Sequence, residues 1–338
     1  MLSVSATRRS PGSLRAASER ARREGGDLGH AQVAQIQRAR ILAAMFDVVG
    51  EAGAANVSVA DVVLRSGVSR RTFYELFEDR EECFLAAFEQ ALASVAKQVL
   101  PAYEAEHGWR KRIGAALYEL LRFLDEEPLV GKLLIVESLS GSQKALARRG
   151  EVLAEITRAI DAGNREAKGR GPGPLAAEAI VGGVLSVIHT RLVQPGEEPL
   201  VELTGPLMSM IVLPYLGTAA AGRELDRPAP VSVKQPREVG RLLPDPFKEA
   251  GMRLTYRTVR VLAAIVEHPG ASNRSIGASA GIEDQGQISK LLSRIERIGL
   301  IVNTGMGAGT GTPNAWHLTD RGRQVAERIS AYASEDGQ

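Results

Sequence analysis

Apolar side chains recur at intervals of three and four residues along most of the chain, which is the spacing of one face of an α-helix. The first such stripe ends at Gly53 and comprises Ile41, Ala44, Met45, Val48 and Ala52. Similar stripes run through residues 84–95, 113–124 and 153–160, and no alternating strand pattern occurs before residue 300. The pattern predicts a mainly helical protein.

A second set of elements is predicted near the end of the chain. Two helices there precede a third that opens at Asp284, with Gln287 three residues later as its capping partner. Short apolar runs at 299–302 and 315–318 then predict two strands around a Gly-rich loop, followed by a closing helix from Thr319. This order predicts three helices, a small two-stranded wing and a final helix.

Composition divides the chain further. Residues 1–29 combine Ser, Gly and Arg with few large apolar side chains and predict a flexible basic tail, either an arm that follows DNA or simply a solvated segment. Residues 226–247 hold five prolines and predict a linker. Between and after them we expect domains at 30–82, 83–225 and 248–333, and a short tail at 334–338.

Bulk composition excludes several classes of protein. The net charge is only +2, so any phosphate-binding surface depends on where Arg and Lys are placed. The single cysteine, Cys83, allows no intramolecular disulfide, which favours a reducing compartment. Residues 207–216, the longest apolar run, are too short to span a bilayer, so we expect a cytoplasmic protein with no membrane partner.

The segment SVADVVLRSGVSRRTFYELF, residues 58–77, has the pattern of two helices joined by a tight turn. Ser58 with Asp61 predicts a capping box, Gly67 the turn, and Ser69 the cap of the second helix. That helix would bury Phe73 and turn its polar residues outward. A major groove admits one such helix, although a helical hairpin with ordinary surface arginines has the same pattern.

Residues 35–88 resemble the N-terminal domain of the tetracycline-repressor (TetR) family, through ILAAMFDVVGEAGAANVSVADVVLRSGVSRRTFYELFEDREECFLAAF. The resemblance implies a DNA-binding surface, for which the candidate residues are Ser58, Ser69, Arg70, Arg71, Thr72, Tyr74 and Arg80. Three positions depart from the common pattern: Arg71 stands for a frequent glycine, Glu75 for a histidine and Arg80 for a lysine.

For residues 83–225 the same resemblance implies an all-helical body that binds a small-molecule effector and forms a homodimer. Helices near 174–193 and 199–218, with Gly182 and Gly183 allowing close approach, are the candidate interface, although the glycines equally fit tight packing within the chain. The candidate ligand-binding residues, for each of which taken singly an ordinary core position is the commoner role, are Tyr103, Trp109, Tyr118, Phe123 and His189. No catalytic constellation, metal-ligand spacing or cofactor motif is present, so we expect no enzyme and no cofactor.

Residues 250–333 resemble a winged helix-turn-helix of the MarR type, through QISKLLSRIERIGLI and AWHLTDRGRQVAERI. Its candidate DNA-binding residues are Gln285, Gln287, Ser289, Lys290 and Arg294. Residues 301–317 contain no Lys or Arg, which casts doubt on DNA contact by the wing. The loop GMGAGTG lacks the following helix that a dinucleotide site needs and is interpreted as a flexible wing.

Together these patterns predict a ligand-responsive homodimeric repressor that reads a near-palindromic, double-stranded DNA operator with two kinds of helix-turn-helix module. The protein would act in the cytoplasm, at the nucleoid. The alternative is a co-regulator or scaffold whose C-terminal module binds a protein partner and not DNA.

Overall fold

The computed structural model describes residues 33–167, 171–227, 256–305 and 314–332. By their contacts they divide into two compact units. The helical unit contains the described residues of Ile41–Pro244, and the sheet-containing unit contains those of Met1–Arg40 and Asp245–Gln338. The predicted tails at 1–29 and 334–338, and almost all of the predicted linker, lie outside the described residues.

The helical unit is built from amphipathic helices around one apolar core. Helix α1 spans residues 33–52, and the boundary between the units falls within it, at Arg40. The later helices are α2 (Val59–Ser66), α3 (Arg70–Leu76), α4 (Arg80–Ala105), α5 (Trp109–Glu126), α6 (Pro128–Gly131), α7 (Gln143–Asp161), α8 (Ala176–Val193), α9 (Thr204–Leu216) and α10 (Thr218–Leu225). The helical interpretation of residues 41–225 is therefore confirmed for its described part.

Irregular helical turns connect several of these helices. A 3₁₀ turn at Ala54–Asn56 links α1 to α2, and a π-helical turn at Lys132–Val136 passes into a 3₁₀ turn at Glu137–Leu139 before α7. Leu133 and Leu134 of the π-helical turn are buried in the core. π-Helical turns are rare and occur often at functional sites.

Helices α4 and α8 are long and apolar enough to span a membrane by length and composition alone. Core helices of globular proteins pass the same test. Here α4 buries Cys83, Phe84 and Phe88 in the core, and α8 buries Ile188 and Leu192 there. In each helix 28% of the apolar window is buried inside the protein.

The sheet-containing unit has the element order that the sequence predicted. Its elements are α11 (Tyr256–Glu267), α12 (Asn273–Ala280), α13 (Gln285–Arg297), β1 (Ile301–Asn303), β2 (Trp316–Leu318) and α14 (Asp320–Tyr332). Strands β1 and β2 are antiparallel, with Ile301 opposite Leu318 and Asn303 opposite Trp316. The predicted two-stranded sheet is confirmed, whereas the MarR-type classification stays a prediction.

The core of this unit extends to residues that the sequence assigned to the first DNA-binding domain. Val33 and Ile36 of α1 are buried in the same cluster as Leu262, Ile288 and Leu292. The apolar stripe that the sequence predicted for α1 begins only at Ile41, so the burial of Val33 and Ile36 was not predicted.

Candidate nucleic-acid interface

Helix α2 begins with the capping box that the sequence predicted. The backbone N–H of Asp61 donates to Ser58 Oγ at 3.3 Å, and the Ser58 N–H donates to Asp61 Oδ2 at 2.9 Å. The hydrogen bond from the Ser58 hydroxyl, followed by that from its backbone, lowers the pKa of Asp61. The helix ends at Gly67, whose φ of 66° is the left-handed conformation that glycine adopts without steric cost.

Helix α3 is fixed at its start and along its inner face. Ser69 Oγ accepts from the Thr72 N–H at 3.0 Å and lies 2.8 Å from the Thr72 hydroxyl. Phe73 is fully buried, and its ring lies 5.6 Å from that of Phe77. The cap and the aromatic anchor set the rotation of the helix, and they leave Arg70, Arg71 and Tyr74 exposed on the outer side.

The two exposed arginines of α3 have different neighbours. The Arg70 guanidinium lies over the Tyr74 ring at 6.0 Å from its centroid, and Tyr74 itself is 49% exposed. Arg71 donates from Nε to Glu75 Oε1 at 2.8 Å, which raises the pKa of Arg71. The predicted outward face therefore exists, with a carboxylate that the sequence analysis did not count as part of the site.

The Arg80 side chain hydrogen-bonds within the protein, unlike a side chain that is free to bind phosphate. It is half-buried, and its Nη1 donates to the carbonyl of Ala54. The N–H of Ala54 in turn donates to Glu137 Oε2 at 2.7 Å. The 3₁₀ turn at residues 54–56 is thus held from two sides, by the first residue of α4 and by the turn that precedes α7.

Helix α13 presents the second group of candidate residues. Asp284 Oδ1 accepts from the Gln287 N–H at 2.8 Å, as the sequence predicted, while Ile288, Leu292 and Ile295 are buried. All five candidate DNA-binding residues are exposed: Gln285, Gln287, Ser289, Lys290 and Arg294. The Gln287 side chain accepts from Arg257 Nη1 at 2.8 Å, so a cation of α11 adjoins this face.

Asparagines fix the sheet at the base of the predicted wing. Asn273 Oδ1 accepts from Trp316 Nε1 at 2.6 Å and from Asn314 Nδ2 at 3.0 Å, and Asn303 Nδ2 donates to Asn314 Oδ1 at 2.8 Å. Trp316 is buried beside them. These bonds join the start of α12 to both strands. Of the GMGAGTG loop, only Gly305 is among the described residues.

The ligand-binding candidates do not come together. A cleft of about 540 Å³ in the helical unit is lined by His189, but not by the other four candidates. Trp109 and Phe123 are buried, the Trp109 Nε1 donates to the Ala159 carbonyl at 2.9 Å, and Arg112 lies over the Tyr103 ring. The cleft instead has an apolar wall of Ile135, Leu139, Leu153, Val181 and Leu185 and a polar rim of Arg149, Thr157, Glu178, Ser186 and His189.

The predicted role of the two glycines of α8 can be compared with their surroundings. A Cβ on Gly183 would be 3.5 Å from Met210 of α9, which is ordinary contact. Beyond Gly182 there is open space, and this residue lines the cleft. The contact of Gly183 with α9 fits packing within the chain, and the dimer interface stays a prediction.

Tyr215 on α9 has a buried hydroxyl without a hydrogen-bond partner among the described residues. Its ring packs 5.0 Å from Trp109, and burial raises the pKa of the phenol. Among all described residues, no group of three or more His, Cys, Asp or Glu side chains is arranged to hold a metal ion.

Sequence reasoning missed Glu75, Glu137 and Asn273. Glu75 follows Arg71 by four residues, the separation at which helical side chains meet, so a search for such pairs would have found it. Glu137 and Ala54 are 83 residues apart, and Asn273 and Trp316 are 43 apart. No local pattern signals those two contacts.

Comparison with known proteins bears on the N-terminal part of the helical unit. Residues 41–87 match the family model described as bacterial regulatory proteins, tetR family. No curated protein matches the chain. The matched segment contains α2 and α3 of the candidate interface.

Several solved structures resemble part of the chain. FadR from Bacillus subtilis, in complex with stearoyl-CoA, is 16% identical, with a TM-score of 0.46 over 51% of this chain and 96% of its own. A TetR family regulator from Marinobacter aquaeolei is 22% identical, with a TM-score of 0.43 over 52% and 93%. RolR in complex with resorcinol is 22% identical, with a TM-score of 0.42 over 59% and 98%.

Proposed function

We propose that this chain is a DNA-binding transcription regulator whose helix α3 enters the major groove. The observation that carries the proposal is the outward face of α3, where Arg70, Arg71 and Tyr74 are exposed while Phe73 anchors the helix from beneath. Guanidinium groups bind guanine edges and phosphates, and a tyrosine hydroxyl binds phosphate. The tetR family match over residues 41–87 supports the same function.

The test is a selection of bound sequences from random duplexes by the full chain, followed by affinity measurements on the selected site. Arg70→Ala should weaken binding by about 1–3 kcal/mol and reduce the salt dependence by about one phosphate contact. Arg158→Ala is the matched control, since Arg158 is an exposed arginine on α7 of the same unit. If the full chain selects no sequence at low salt, the proposal is wrong.

The proposal includes a homodimer on a near-palindromic operator. Helices α8 and α9 carry exposed apolar side chains, with Val193 50% and Leu213 45% exposed. A dimer would set two α3 helices about 34 Å apart, one turn of B-DNA. Sedimentation of the full chain tests this, and Leu213→Asp should shift it towards monomer.

An effector response is supported by the path from the cleft to the DNA-binding helices. Ile135 and Leu139 line the cleft, and Glu137 between them accepts the N–H of Ala54. A small molecule in the cleft would displace this segment and so change the geometry in which α3 meets DNA. Glu137→Ala should weaken operator binding several-fold, whereas Glu155→Ala, an exposed α7 carboxylate away from Ala54, should not.

In the proposed regulator, α13 is a second DNA-reading helix, because its outer face offers amides, hydroxyls and the cations Lys290 and Arg294. The absence of Lys and Arg from residues 301–317 favours the alternative, a scaffold whose sheet-containing unit binds a protein. The double variant Lys290→Ala/Arg294→Ala separates the two: a weaker operator affinity with a shallower salt slope supports DNA binding, and no change supports the scaffold. In either case the protein would act in the cytoplasm, where its operator lies, without a cofactor.

A further inference from the structure

A single carboxylate lies within the exposed cationic face of α3. Arg71, whose side chain is 89% exposed, donates from Nε to Glu75 Oε1 at 2.8 Å, one helical turn further on. Arg71 makes no other hydrogen bond within the described part of the chain. Both terminal nitrogens of its guanidinium, Nη1 and Nη2, therefore remain available to a ligand.

The pair is oriented against the usual preferences of a helix. An acidic residue stabilises a helix when it lies near the N-terminus or one turn before a basic partner. Here the arginine comes first, and Glu75 lies in the last turn of α3, which ends at Leu76 and has no basic residue in that turn. The pair therefore stabilises the helix less than the opposite order of the same two residues would.

The cost of this carboxylate in a DNA-binding face is also clear. A negative charge beside the groove is repelled by the phosphates of every sequence, so Glu75 weakens binding to all duplexes. A side chain that is already held in its bound conformation, however, loses less freedom on binding. Holding Arg71 by Nε directs the Nη1 and Nη2 edge outward, and that edge matches the N7 and O6 acceptors of guanine.

We propose that Glu75 is a specificity-determining positioning residue, which holds Arg71 by Nε so that its terminal edge reads one guanine in each operator half-site. The inference rests on the proposed function of α3 and deepens it. Glu75 thereby lowers the affinity for all sequences and raises the discrimination at one base pair.

The experiment compares base preferences at every position of the selected operator, using full-length wild type, Glu75→Ala and Glu75→Gln. Glu75→Ala should reduce the preference for guanine at one position of each half-site about tenfold and tighten binding to random-sequence duplex a few-fold. Glu75→Gln keeps an acceptor oxygen without the charge. It should therefore tighten random binding equally but keep part of the guanine preference.

Two further variants separate positioning from charge. Glu78→Ala removes an exposed carboxylate just beyond α3 that does not hold Arg71, so it should tighten random binding while leaving every base preference unchanged. Arg71→Lys keeps the charge but lacks the fork. It should lose the same guanine preference, with no additional loss when combined with Glu75→Ala.

The outcomes distinguish this inference from the function on which it rests. If wild type selects an operator and Glu75→Ala retains the full guanine preference at each position, the positioning role is wrong while the DNA-binding function stands. If wild type selects no sequence, the proposed function fails and this inference fails with it. Thermal unfolding of Glu75→Ala should match wild type, because the pair is exposed and makes little contribution to stability.

Discussion

The two candidate recognition helices, α3 and α13, are built by the same local rules but expose different chemistry. Each begins after a residue whose side-chain oxygen accepts a hydrogen bond from the backbone N–H three residues later; this residue is Ser69 before α3 and Asp284 before α13. Helix α3 then exposes Arg70 and Arg71 in its first turn, and α13 exposes Gln285 and Gln287. The cations of α13 come later, at positions 290 and 294.

This difference indicates how the two helices would divide the work of binding. Cations in the first turn of α3 favour strong, salt-dependent contacts with phosphate and guanine. Amides and hydroxyls at the start of α13 favour base-edge hydrogen bonds that depend less on salt, since Gln bonds adenine N6 and N7. If both helices bind DNA as proposed, α3 would contribute the larger salt-dependent part of the affinity, and α13 would add base-edge hydrogen bonds.

The largest predicted effects concern the buried anchors of the two helices. Phe73→Ala and Leu292→Ala each remove a side chain with no solvent exposure, and we expect losses of about 3–5 and about 2–5 kcal/mol in the free energy of unfolding. Because the chain divides into two compact units, each variant should destabilise its own unit. Urea unfolding, monitored by tryptophan fluorescence, checks this.

The two tryptophans make that measurement specific. Trp109 lies in the helical unit and Trp316 in the sheet-containing unit, and the chain has no others. In a Trp316→Phe background the signal reports the helical unit, where Phe73→Ala should lower the midpoint and Leu292→Ala should not. Equal shifts from both variants would show that the units unfold together, and the comparison of two separate modules would fail.

The next prediction concerns the base of the wing. Asn273→Ala removes the acceptor for the buried Trp316 indole N–H and for Asn314, so it should cost about 1–3 kcal/mol in the unfolding of the sheet-containing unit. Asn273→Asp keeps an acceptor at the same place and should recover most of the loss. If Ala and Asp are equally stable, these hydrogen bonds do not hold the wing.

What the sequence predicted, and what it missed, follows from the distance over which each feature is encoded. Ser58 with Asp61, Gly67, and Asp284 with Gln287 are local signals, and the structure confirms all three. Val33 and Ile36 lie before the predicted apolar stripe of α1, and their partners in the core of the sheet-containing unit lie beyond residue 256. The bond between Glu137 and Ala54 spans 83 residues, and neither residue type signals it.

The residues that line the candidate ligand pocket were also only partly predictable from the sequence. For Trp109 and Phe123 the sequence left open a place in a pocket or in the core. Both side chains are buried and the Trp109 indole N–H donates to the Ala159 carbonyl, as expected of packed core residues. His189 lines the cleft together with other residues of α8, with residues of α7 and with residues of the turns that precede α7. Which helices surround a cleft depends on tertiary packing, which periodicity along one chain does not encode.

A smaller effect is expected at the helix caps. Ser69→Ala and Asp284→Ala each remove the acceptor for one backbone N–H at a helix start, and each should cost about 1 kcal/mol. Ser69→Asp supplies an alternative cap and should restore most of the stability, measured again by urea unfolding. A loss at Ser69 much larger than at Asp284 would mean that the Ser69–Thr72 contact does more than cap α3, and the similarity of the two helix starts would break down.

The smallest effect separates the helices that precede α3 and α13. Helix α2 starts at a Ser58–Asp61 box in which hydrogen bonds lower the pKa of Asp61, whereas α12 starts at Ser272, which accepts from the N–H of Ser275 and involves no carboxylate. A carboxyl whose pKa is lower in the folded state stabilises that state above its ordinary pKa of 3.8, and the contribution disappears as pH falls through the lowered value. Acid should therefore weaken the start of α2 while leaving that of α12 unchanged. Hydrogen exchange, corrected for the intrinsic rate, would show this as faster exchange of the backbone amide of residue 61 at about pH 3 than at pH 5 in wild type but not in Asp61→Asn. The Ser275 amide serves as the internal reference. If the Asp61 and Ser275 amides respond equally to pH, this distinction between the two units is wrong.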